Sequence, residues 1–314
     1  MAGYSTKLGK CIQGDSLEIL DTLPHNSIDL IVTSPPFSLQ RHKKYGEVCQ
    51  DEYVDWLLQF GSIAHSKLKD TGSFVIDIGG AYQKGMPIKA LYPFRFMIRM
   101  CDELGYNLAQ DFYWHNPSAL PTPIEWVNKR KLRCKTSVNT VWWFSKTTNP
   151  KSNIRNVLVP YSSRMQNLIE RPQDFVKEEG TVRPSGHVMG MKSWAKNNGG
   201  AIPSNLLQIS NSESNSQYLR YCKAVGVKGH PARFPAKLPE FFIKMLTDEN
   251  DFVVDLFSGS NTTGQVSECL GRKWLSIDLN LEYVASSVFR FSDNEDTANR
   301  YFSAIMNGND LIIN

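Results

Sequence analysis

Ten residues near the amino terminus, Ile28-Asp29-Leu30-Ile31-Val32-Thr33-Ser34-Pro35-Pro36-Phe37, predict both a buried strand and a site at its end. The first half is short, apolar and β-branched, and the proline pair ends it. Two consecutive prolines lack N–H groups and have fixed φ angles, so the carbonyls just before them are free to bind a ligand. Ser34 adds a side-chain acceptor and Phe37 a flat face. This combination suits a planar base with an exocyclic amino group; the alternative is a turn in which Phe37 only packs.

A second strand and turn, residues 251–264, read Asp-Phe-Val-Val-Asp-Leu-Phe-Ser-Gly-Ser-Asn-Thr-Thr-Gly. A strand, a Gly/Ser/Asn-rich turn and a helix start form the layout of a nucleotide-binding loop at the carboxyl end of a parallel strand. The next apolar run ends at Asp278, whose carboxylate can accept hydrogen bonds from both ribose hydroxyls. We therefore predict a nucleotide site formed by Asp278 with Asp255, Phe257, Ser258, Gly259, Ser260 and Thr262.

Buried strands alternate with helices along most of the chain, and both site motifs lie at the end of a predicted strand. This alternation predicts an α/β fold, a doubly wound Rossmann-like sheet whose strands are mostly parallel. We expect residues 1–150 and 222–314 to form this α/β domain. Residues 151–221 are rich in Asn and Ser and poor in apolar periodicity, so they predict an irregular recognition region. Amide and guanidinium groups suit base reading in the major groove, and Arg183 and His187 are candidates there.

Positive charge is concentrated in one part of a chain whose net charge is only +4. Residues 128–169 contain nine Lys and Arg and no Asp or Glu, so this basic window carries +9 and the remainder −5. Such an asymmetry favours a polyanionic partner; the alternative is a solvated basic face. Candidate phosphate-binding residues are Lys129, Arg130, Lys131 and Arg133 in the window, and Arg41, Lys43 and Lys44 in the polar stretch after Phe37.

Composition argues against several other classes of protein. The chain has 314 residues, 41% of them hydrophobic, which is enough for one large domain plus an insert. No apolar run approaches membrane-spanning length, and the first residues lack a signal-peptide core. The six cysteines are scattered, without a Cys-x-x-Cys and without a His at metal spacing. We therefore expect a cytoplasmic protein with free thiols, no metal and no membrane partner.

The tetrapeptide Ser34-Pro35-Pro36-Phe37, with the Gly259 loop and Asp278, resembles the motifs of the DNA amino-methyltransferases of restriction–modification systems. In that family the tetrapeptide is (Asp/Asn/Ser)-Pro-Pro-(Tyr/Phe), and serine in first position is typical of N4-cytosine enzymes. The tetrapeptide precedes the cofactor loop here, as in the β-type permutation. The resemblance covers about residues 11–289. This sequence departs from the family pattern at Leu256, where proline is common, and at Asn261, where a second glycine is common.

The resemblance implies methyl transfer from S-adenosylmethionine to N4 of a cytosine that has left double-stranded DNA. Catalysis would belong to Ser34, Pro35, Pro36 and Phe37, with Ser34 Oγ and the Pro35 carbonyl accepting the two amino hydrogens.

The resemblance also implies roles for residues outside the two motifs. Asp15 is expected near the cofactor adenine, although a helix N-cap would equally explain it. His230, Phe234 and Pro235 are expected to wrap the methionine half of the cofactor. An antiparallel strand pair is expected at residues 106–115 and 138–146, and a companion restriction endonuclease acting on the same DNA site is an expected partner.

Three alternatives stay open on the sequence alone. The same fold can methylate N6 of adenine, because serine is not an absolute discriminator. An RNA or protein methyltransferase suits the basic window and the polar insert less well than one acting on duplex DNA. A DNA-binding protein without catalysis would keep the fold, but the intact tetrapeptide with Gly259 and Asp278 argues against it.

Overall fold

The computed structural model describes residues 2–37, 50–83, 85–174, 181–182, 184–186, 188–189, 196–211, 216–233 and 235–313. The predicted site residues outside the described residues are Arg41, Lys43, Lys44, Arg183, His187 and Phe234.

The described residues contain twelve strands, most of them in one sheet. They are β1 (Gly3–Ser5), β2 (Gly9–Gln13), β3 (Ile28–Thr33), β4 (Leu68–Ile78), β5 (Asn107–His115), β6 (Val138–Ser145), β7 (Thr181–Val182), β8 (Val188–Met189), β9 (Leu206–Gln208), β10 (Phe252–Asp255), β11 (Lys273–Asp278) and β12 (Asp310–Ile312). The α-helices are α1 (Ser16–Thr22), α2 (Gln50–Lys67), α3 (Tyr92–Asp102), α4 (Ser163–Glu170), α5 (Ser216–Val225), α6 (Lys237–Leu246), α7 (Thr262–Cys269), α8 (Leu281–Ser287) and α9 (Glu295–Met306).

The main sheet has the strand order β12-β1-β2-β11-β10-β3-β4-β6-β5-β9. The five strands from β2 to β4 in this order are parallel, and β6 runs antiparallel between β4 and β5. The predicted fold class and the expected antiparallel pair are therefore confirmed. The two motif strands are neighbours, because Val253 pairs with Leu30 and Val254 with Ile31. A separation of more than two hundred residues in sequence thus becomes direct contact in the sheet.

Helices cover both faces of this sheet. Cys11 and Ile12 are adjacent on β2 yet belong to different buried clusters, and Trp274 and Leu275 on β11 do the same. Successive strand residues point to opposite faces, so the two clusters lie on the two faces. One contains residues of α1, α2 and α3, and the other contains residues of α5, α8 and α9. Every residue of β3 is accordingly buried, as expected for a parallel strand covered on both sides.

The chain divides into two compact units, Met1–Ser152 with Asn205–Asn314, and Asn153–Ser204. The second boundary lies earlier than the predicted 221/222. Residues 205–221 join the larger unit because β9 pairs with β5 and Tyr218 of α5 belongs to a core cluster of that unit. The smaller unit contains α4 and the short β7–β8 pair. Among the described residues, none of the helices is both long and apolar enough to cross a membrane.

Candidate active site

Polar residues collect where the five parallel strands end. Asp15 follows β2, Asp278 ends β11, Asp255 ends β10, Ser34 follows β3, and Asp77 is the last residue but one of β4. The carboxyl ends of parallel strands lie on the same edge of a sheet, which is where open α/β sheets bind ligands. We call this edge the active edge. The tetrapeptide and the Gly259 loop therefore lie side by side, at the ends of the neighbouring strands β3 and β10.

The tetrapeptide is fixed to the end of β4. Ser34 Oγ donates a hydrogen bond to Asp77 Oδ2 at 3.2 Å. Pro35 is buried and Pro36 is exposed. The Phe37 ring lies against the backbone of Gly79, where an added Cβ would come within 2.2 Å of Phe37 Cε2. Only glycine permits this close approach.

Asp77 is a candidate functional residue that the sequence alone did not indicate. Its side chain is buried, and its Oδ1 has no hydrogen-bond partner among the described residues. Burial raises the pKa of Asp77 to about 7, opposed by the hydrogen bond from Ser34 and, to a smaller extent, by the polar side chain of the nearby Asn139. The available signal was an acid inside the apolar run Phe74-Val75-Ile76-Asp77-Ile78. That signal is ambiguous, because the buried Asp29 of β3 simply pairs with Lys69 at 2.8 Å.

Asp255 joins the ends of the two motif strands. Its Oδ1 accepts hydrogen bonds from Thr33 Oγ1 at 2.8 Å and from the Phe257 N–H at 3.1 Å. Burial raises the pKa of Asp255 to about 6, opposed by hydrogen bonds from Thr263, Thr33 and Phe257. These contacts make Asp255 a brace between β3 and β10. Its predicted contact with the cofactor stays a prediction.

The Gly259 turn is held by Asp278. Asp278 Oδ2 accepts from the Gly259 N–H at 2.8 Å, and Oδ1 accepts from the Asn280 N–H at 2.9 Å. Burial raises the pKa of Asp278, opposed by these two backbone hydrogen bonds. Gly259 has φ +50°, and an added Cβ would lie 2.9 Å from the His230 ring. The turn therefore needs glycine for both its backbone angle and its space.

Asn261 replaces the second glycine of the family pattern without loss of the turn. It adopts a left-handed conformation with φ 54°, which Asn tolerates better than most residues. Its Oδ1 accepts from the Gly264 N–H at 3.0 Å and from Ser276 Oγ at 2.6 Å, while its Nδ2 donates to Tyr4 Oη at 2.8 Å. Leu256, the other departure, is fully buried in the core. Both residues are structural.

The side-chain hydroxyls of the Gly259 loop contact other groups of the protein. Ser260 Oγ lies 3.4 Å from Thr262 Oγ1, and Ser258 Oγ lies 3.9 Å from Cys11 Sγ. The buried Arg290, which the sequence also did not indicate, donates from Nε to the Ser260 carbonyl at 2.6 Å and from Nη2 to Ser260 Oγ at 2.9 Å. The loop is therefore braced by side chains of the protein itself.

The remaining predicted cofactor residues have clear structural partners. Asp15 is the N-cap of α1, and its carboxylate accepts from the Leu17 N–H at 2.8 Å. The His230 ring packs edge-on against Tyr283, with ring centroids 4.6 Å apart, and its Nδ1 lies 2.8 Å from the Ala232 carbonyl oxygen. His230 is thus next to Gly259, and Pro235 is buried. Their cofactor contacts stay predictions.

The match to a known protein family includes both motifs. A sequence profile of the DNA methylase family, which groups N6- and N4-methyltransferases, matches residues 28–289, from β3 to beyond Asp278. This chain belongs to that DNA methylase family.

Individual relatives agree with this assignment. The Type II methyltransferase M.PvuII of Proteus hauseri is 59% identical over 314 residues, covering 99% of this chain and 93% of that protein. The Type II methyltransferase M.BglII of Bacillus subtilis is 25% identical, covering 94% and 72%. A solved structure of PvuII DNA methyltransferase, described as cytosine-N4-specific, matches with a TM-score of 0.81 and 52% identity, covering 100% of this chain and 98% of that one.

In a DNA methylase the basic window is the expected DNA surface, but its charges are not all available. Lys146 pairs with Asp70 at 3.1 Å, and Lys151 pairs with Asp251 at 2.7 Å and with Asp248 at 2.9 Å. Lys146 follows β6, which runs antiparallel to β4, so this end of the window lies away from the active edge. The window is therefore not a single basic face.

The charges nearer the start of β6 do lie towards the active edge of this DNA methylase. Lys129 is exposed and pairs with Glu125 at 3.4 Å, and the Arg130 guanidinium lies over the Trp126 ring at 5.3 Å. Arg133 donates to the Pro87 carbonyl at 3.2 Å.

Among the described residues, groups of His, Cys, Asp and Glu with the arrangement of a metal site are absent.

Proposed function

We propose that this DNA methylase transfers a methyl group from S-adenosylmethionine to the exocyclic N4 of a cytosine flipped out of duplex DNA. The observation that carries the proposal is the Ser34–Asp77 pair at the ends of β3 and β4, directly beside the Gly259 loop on β10. The choice of cytosine N4 rests on serine at position 34 and on the strong similarity to PvuII DNA methyltransferase, which is described as cytosine-N4-specific.

The cofactor loop fits S-adenosylmethionine. The Gly259 turn, in which Gly259 has a positive φ, directly precedes the amino terminus of α7 at the active edge. Each oxygen of Asp278 already accepts one backbone N–H, and a carboxylate oxygen has about two acceptor sites. One site on each oxygen stays available for a ribose hydroxyl. When bound, the cofactor supplies an electrophilic methyl group on a sulfonium.

Ser34 and Pro35 prepare the target nitrogen. The N4 lone pair of cytosine is delocalised into the ring, so the amine is a weak nucleophile. Because Ser34 Oγ gives its own hydrogen to Asp77, its lone pairs can accept one amino hydrogen, and the Pro35 carbonyl accepts the other. This geometry favours a pyramidal N4 with a usable lone pair, so alignment and charge stabilisation supply most of the catalysis.

Asp77 receives the proton that the reaction releases. Transfer forms the N4–CH₃ bond, breaks the S–CH₃ bond and leaves positive charge on N4. One N4 proton then passes to Ser34 Oγ while the Ser34 hydroxyl proton passes to Asp77 Oδ2, and the product amine is neutral. A carboxyl group with a pKa of about 7 is well suited to accept a proton near neutral pH.

The target base must leave the duplex to reach this edge, at a cost of a few kcal/mol. Stacking on the Phe37 ring, which Gly79 holds in position, returns about 1–3 kcal/mol. Residues 151–221 are proposed to read the target sequence. Arg41, Lys43, Lys44, Arg183 and His187 are proposed to add DNA contacts.

The relatives named Type II methyltransferases support a place in a restriction–modification system. We infer a companion endonuclease that cuts the same DNA site and is blocked by methylation, with both proteins acting in a prokaryotic cytoplasm where their DNA lies.

Methyl transfer to DNA tests the proposal. The protein is incubated with S-adenosylmethionine carrying a labelled methyl group and with equal masses of unmethylated plasmid, RNA and unrelated protein. We expect the label in the DNA alone. The Ser34→Ala variant is the matched control and should label the DNA about 10²–10³-fold more slowly. Label in RNA or protein, or no label with any acceptor, would contradict the proposal.

A further inference from the structure

A basic pocket lies beside the active edge and is not used by the mechanism described above. Its volume is about 570 Å³, and Tyr82, Lys89, Arg133, Cys134 and Lys135 are among its lining residues. These side chains come from two segments: the short hairpin after β4 and the connection that leads into β6. The lining residues of the pocket include three cations and no carboxylate.

The hairpin holds Lys89 in place. The Ala90 N–H donates to the Ala81 carbonyl at 2.8 Å, and the Gln83 N–H donates to the Ile88 carbonyl at 2.8 Å. Lys89 Nζ lies 4.5 Å from the centroid of the Tyr82 ring and donates to Thr136 Oγ1 at 3.2 Å. Lys89 is an exposed residue, but its ammonium contacts both segments.

The cations of this pocket lack anionic partners. Within the part of the chain that the structure describes, Lys89, Arg133 and Lys135 form no ion pair with a carboxylate; Arg133 and Lys135 bind backbone carbonyls of Pro87 and Ala119 instead. Burial lowers the pKa of Lys89, and no acid offsets that effect. An ammonium in this setting gains most from a bound anion.

The position of Lys89 relative to the tetrapeptide favours a phosphate of bound DNA as this anion. An added Cβ on Gly80 would lie 3.8 Å from Lys89 Nζ, and the neighbouring Gly79 supports the Phe37 ring. With consecutive Cα atoms about 3.8 Å apart, the ammonium lies at most about 13 Å from that ring. A base stacked on Phe37 would have its own backbone phosphates within this reach.

We propose that Lys89 is a positioning residue that binds a DNA phosphate next to the target nucleotide, with Arg133 and Lys135 on the same strand of DNA. The inference rests on the proposed function for the identity of the nucleic acid. In this arrangement Lys89 holds the backbone of the extruded nucleotide while Ser34 and Phe37 hold its base.

Lys89→Gln tests this assignment, because glutamine can still donate to Thr136 but carries no charge. Lys89→Arg restores the charge, and Lys273→Gln is the matched control, since Lys273 is exposed at the opposite end of a parallel strand. DNA affinity is measured by anisotropy at several salt concentrations, with the unfolding midpoint of each variant recorded. We expect Lys89→Gln to weaken binding about tenfold and to make the salt slope shallower by about 0.9. Lys89→Arg should recover most of the affinity, and Lys273→Gln should match the wild type.

Alkylation of cysteines gives a second readout on the unmodified protein. Cys134 lines the pocket and Cys269 is exposed at the end of α7, away from the active edge. DNA should slow alkylation of Cys134 and leave Cys269 unchanged. Equal affinity and slope for Lys89→Gln and Lys273→Gln, or no protection of Cys134 by bound DNA, would overturn the assignment of Lys89. These binding readouts do not depend on methyl transfer, so a wild type that binds DNA without methylating it would contradict only the proposed function.

Discussion

The two halves of the active edge differ in how they use their acids. On the cofactor side, both oxygens of Asp278 accept backbone N–H groups, and Asn261 uses both atoms of its amide. On the base side, Asp77 uses one oxygen for Ser34 and leaves Oδ1 without a partner among the described residues. The cofactor loop is thus formed by its own hydrogen bonds. The base site instead leaves one oxygen of a buried acid without a hydrogen bond, which lowers the stability of the protein.

The largest effect is expected at Ser34. Ser34→Ala removes the acceptor that matters most when N4 becomes pyramidal, so turnover should fall by about 10²–10³-fold. Affinity for S-adenosylmethionine should stay unchanged, because the side chain of Ser34 bonds to Asp77 and, among the described residues, forms no hydrogen bond with the Gly259 loop. Single-turnover methylation and calorimetry measure the two quantities. If turnover and cofactor affinity fell together, the base site and the cofactor site would not act independently.

Asp77→Asn keeps the shape of the side chain and removes its charge. Turnover should fall by about 10²-fold. In the wild type, turnover should rise with pH through about 7, the pKa of Asp77, because only the ionised carboxylate can accept the Ser34 proton. The variant should lose this rise. A variant that keeps the wild-type pH profile would remove Asp77 from the proton path.

The same substitution has a pH-dependent effect on stability. The pKa of Asp77 is about 7 in the folded protein and 3.8 for the unperturbed group, so the folded state binds the extra proton between these values. Its contribution to stability therefore falls as pH rises from about 4 to 7. Urea unfolding should show that Asp77→Asn gains stability relative to the wild type as the pH rises from about 5 to about 8. A difference that is independent of pH would contradict the raised pKa.

On the cofactor side, Asp278→Ala should weaken S-adenosylmethionine binding by about 1–3 kcal/mol, since buried cofactor hydroxyls would lack acceptors. Asp278→Asn keeps one acceptor oxygen and should lie between the alanine variant and the wild type. Calorimetry measures the affinities. Unchanged affinity in a folded alanine variant would place the ribose elsewhere.

Gly259→Ala should have a smaller effect through the shape of the turn. A Cβ at φ +50° costs about 1–2 kcal/mol, and it would meet the His230 ring. Gly105→Ala is the matched control, because Gly105 has φ +74° with nothing within 4 Å of an added Cβ. Both variants should lose stability in thermal unfolding, but only Gly259→Ala should lose cofactor affinity. If Gly259→Ala and Gly105→Ala bound the cofactor with equal affinity, His230 and the Gly259 turn would not be part of the cofactor site.

The smallest effect is expected from the basic window. Neutralising Lys129, Arg130 and Lys131 together should weaken binding to all DNA sequences severalfold and make the salt slope shallower. The effect is limited because Lys129 already pairs with Glu125 and Arg130 lies over Trp126. Anisotropy with duplexes that contain or lack the target site measures it. A loss confined to target DNA would make these residues base readers.

Local patterns in the sequence were sufficient for the fold and for the two motifs. The β-branched run before Ser34 and the glycine turn after Asp255 each carry their own signal, and parallel strands bring their ends together. Asp77 and Lys89 were not predictable in this way. Their proposed roles depend on which strands become neighbours and on the absence of carboxylates near Lys89 among the described residues, and both are properties of the folded chain. The fold also decides how much charge the basic window has available. Its far end pairs with Asp70, Asp248 and Asp251, and the sequence alone did not indicate these pairs.

The base that is methylated tests the central claim most directly. Plasmid DNA from a host without methylation is incubated with the wild-type protein and S-adenosylmethionine, digested to nucleosides and analysed by mass spectrometry. Serine at position 34 and the similarity to a cytosine-N4-specific enzyme predict N4-methylcytosine as the product. N6-methyladenine as the only modified nucleoside would contradict the assignment of cytosine.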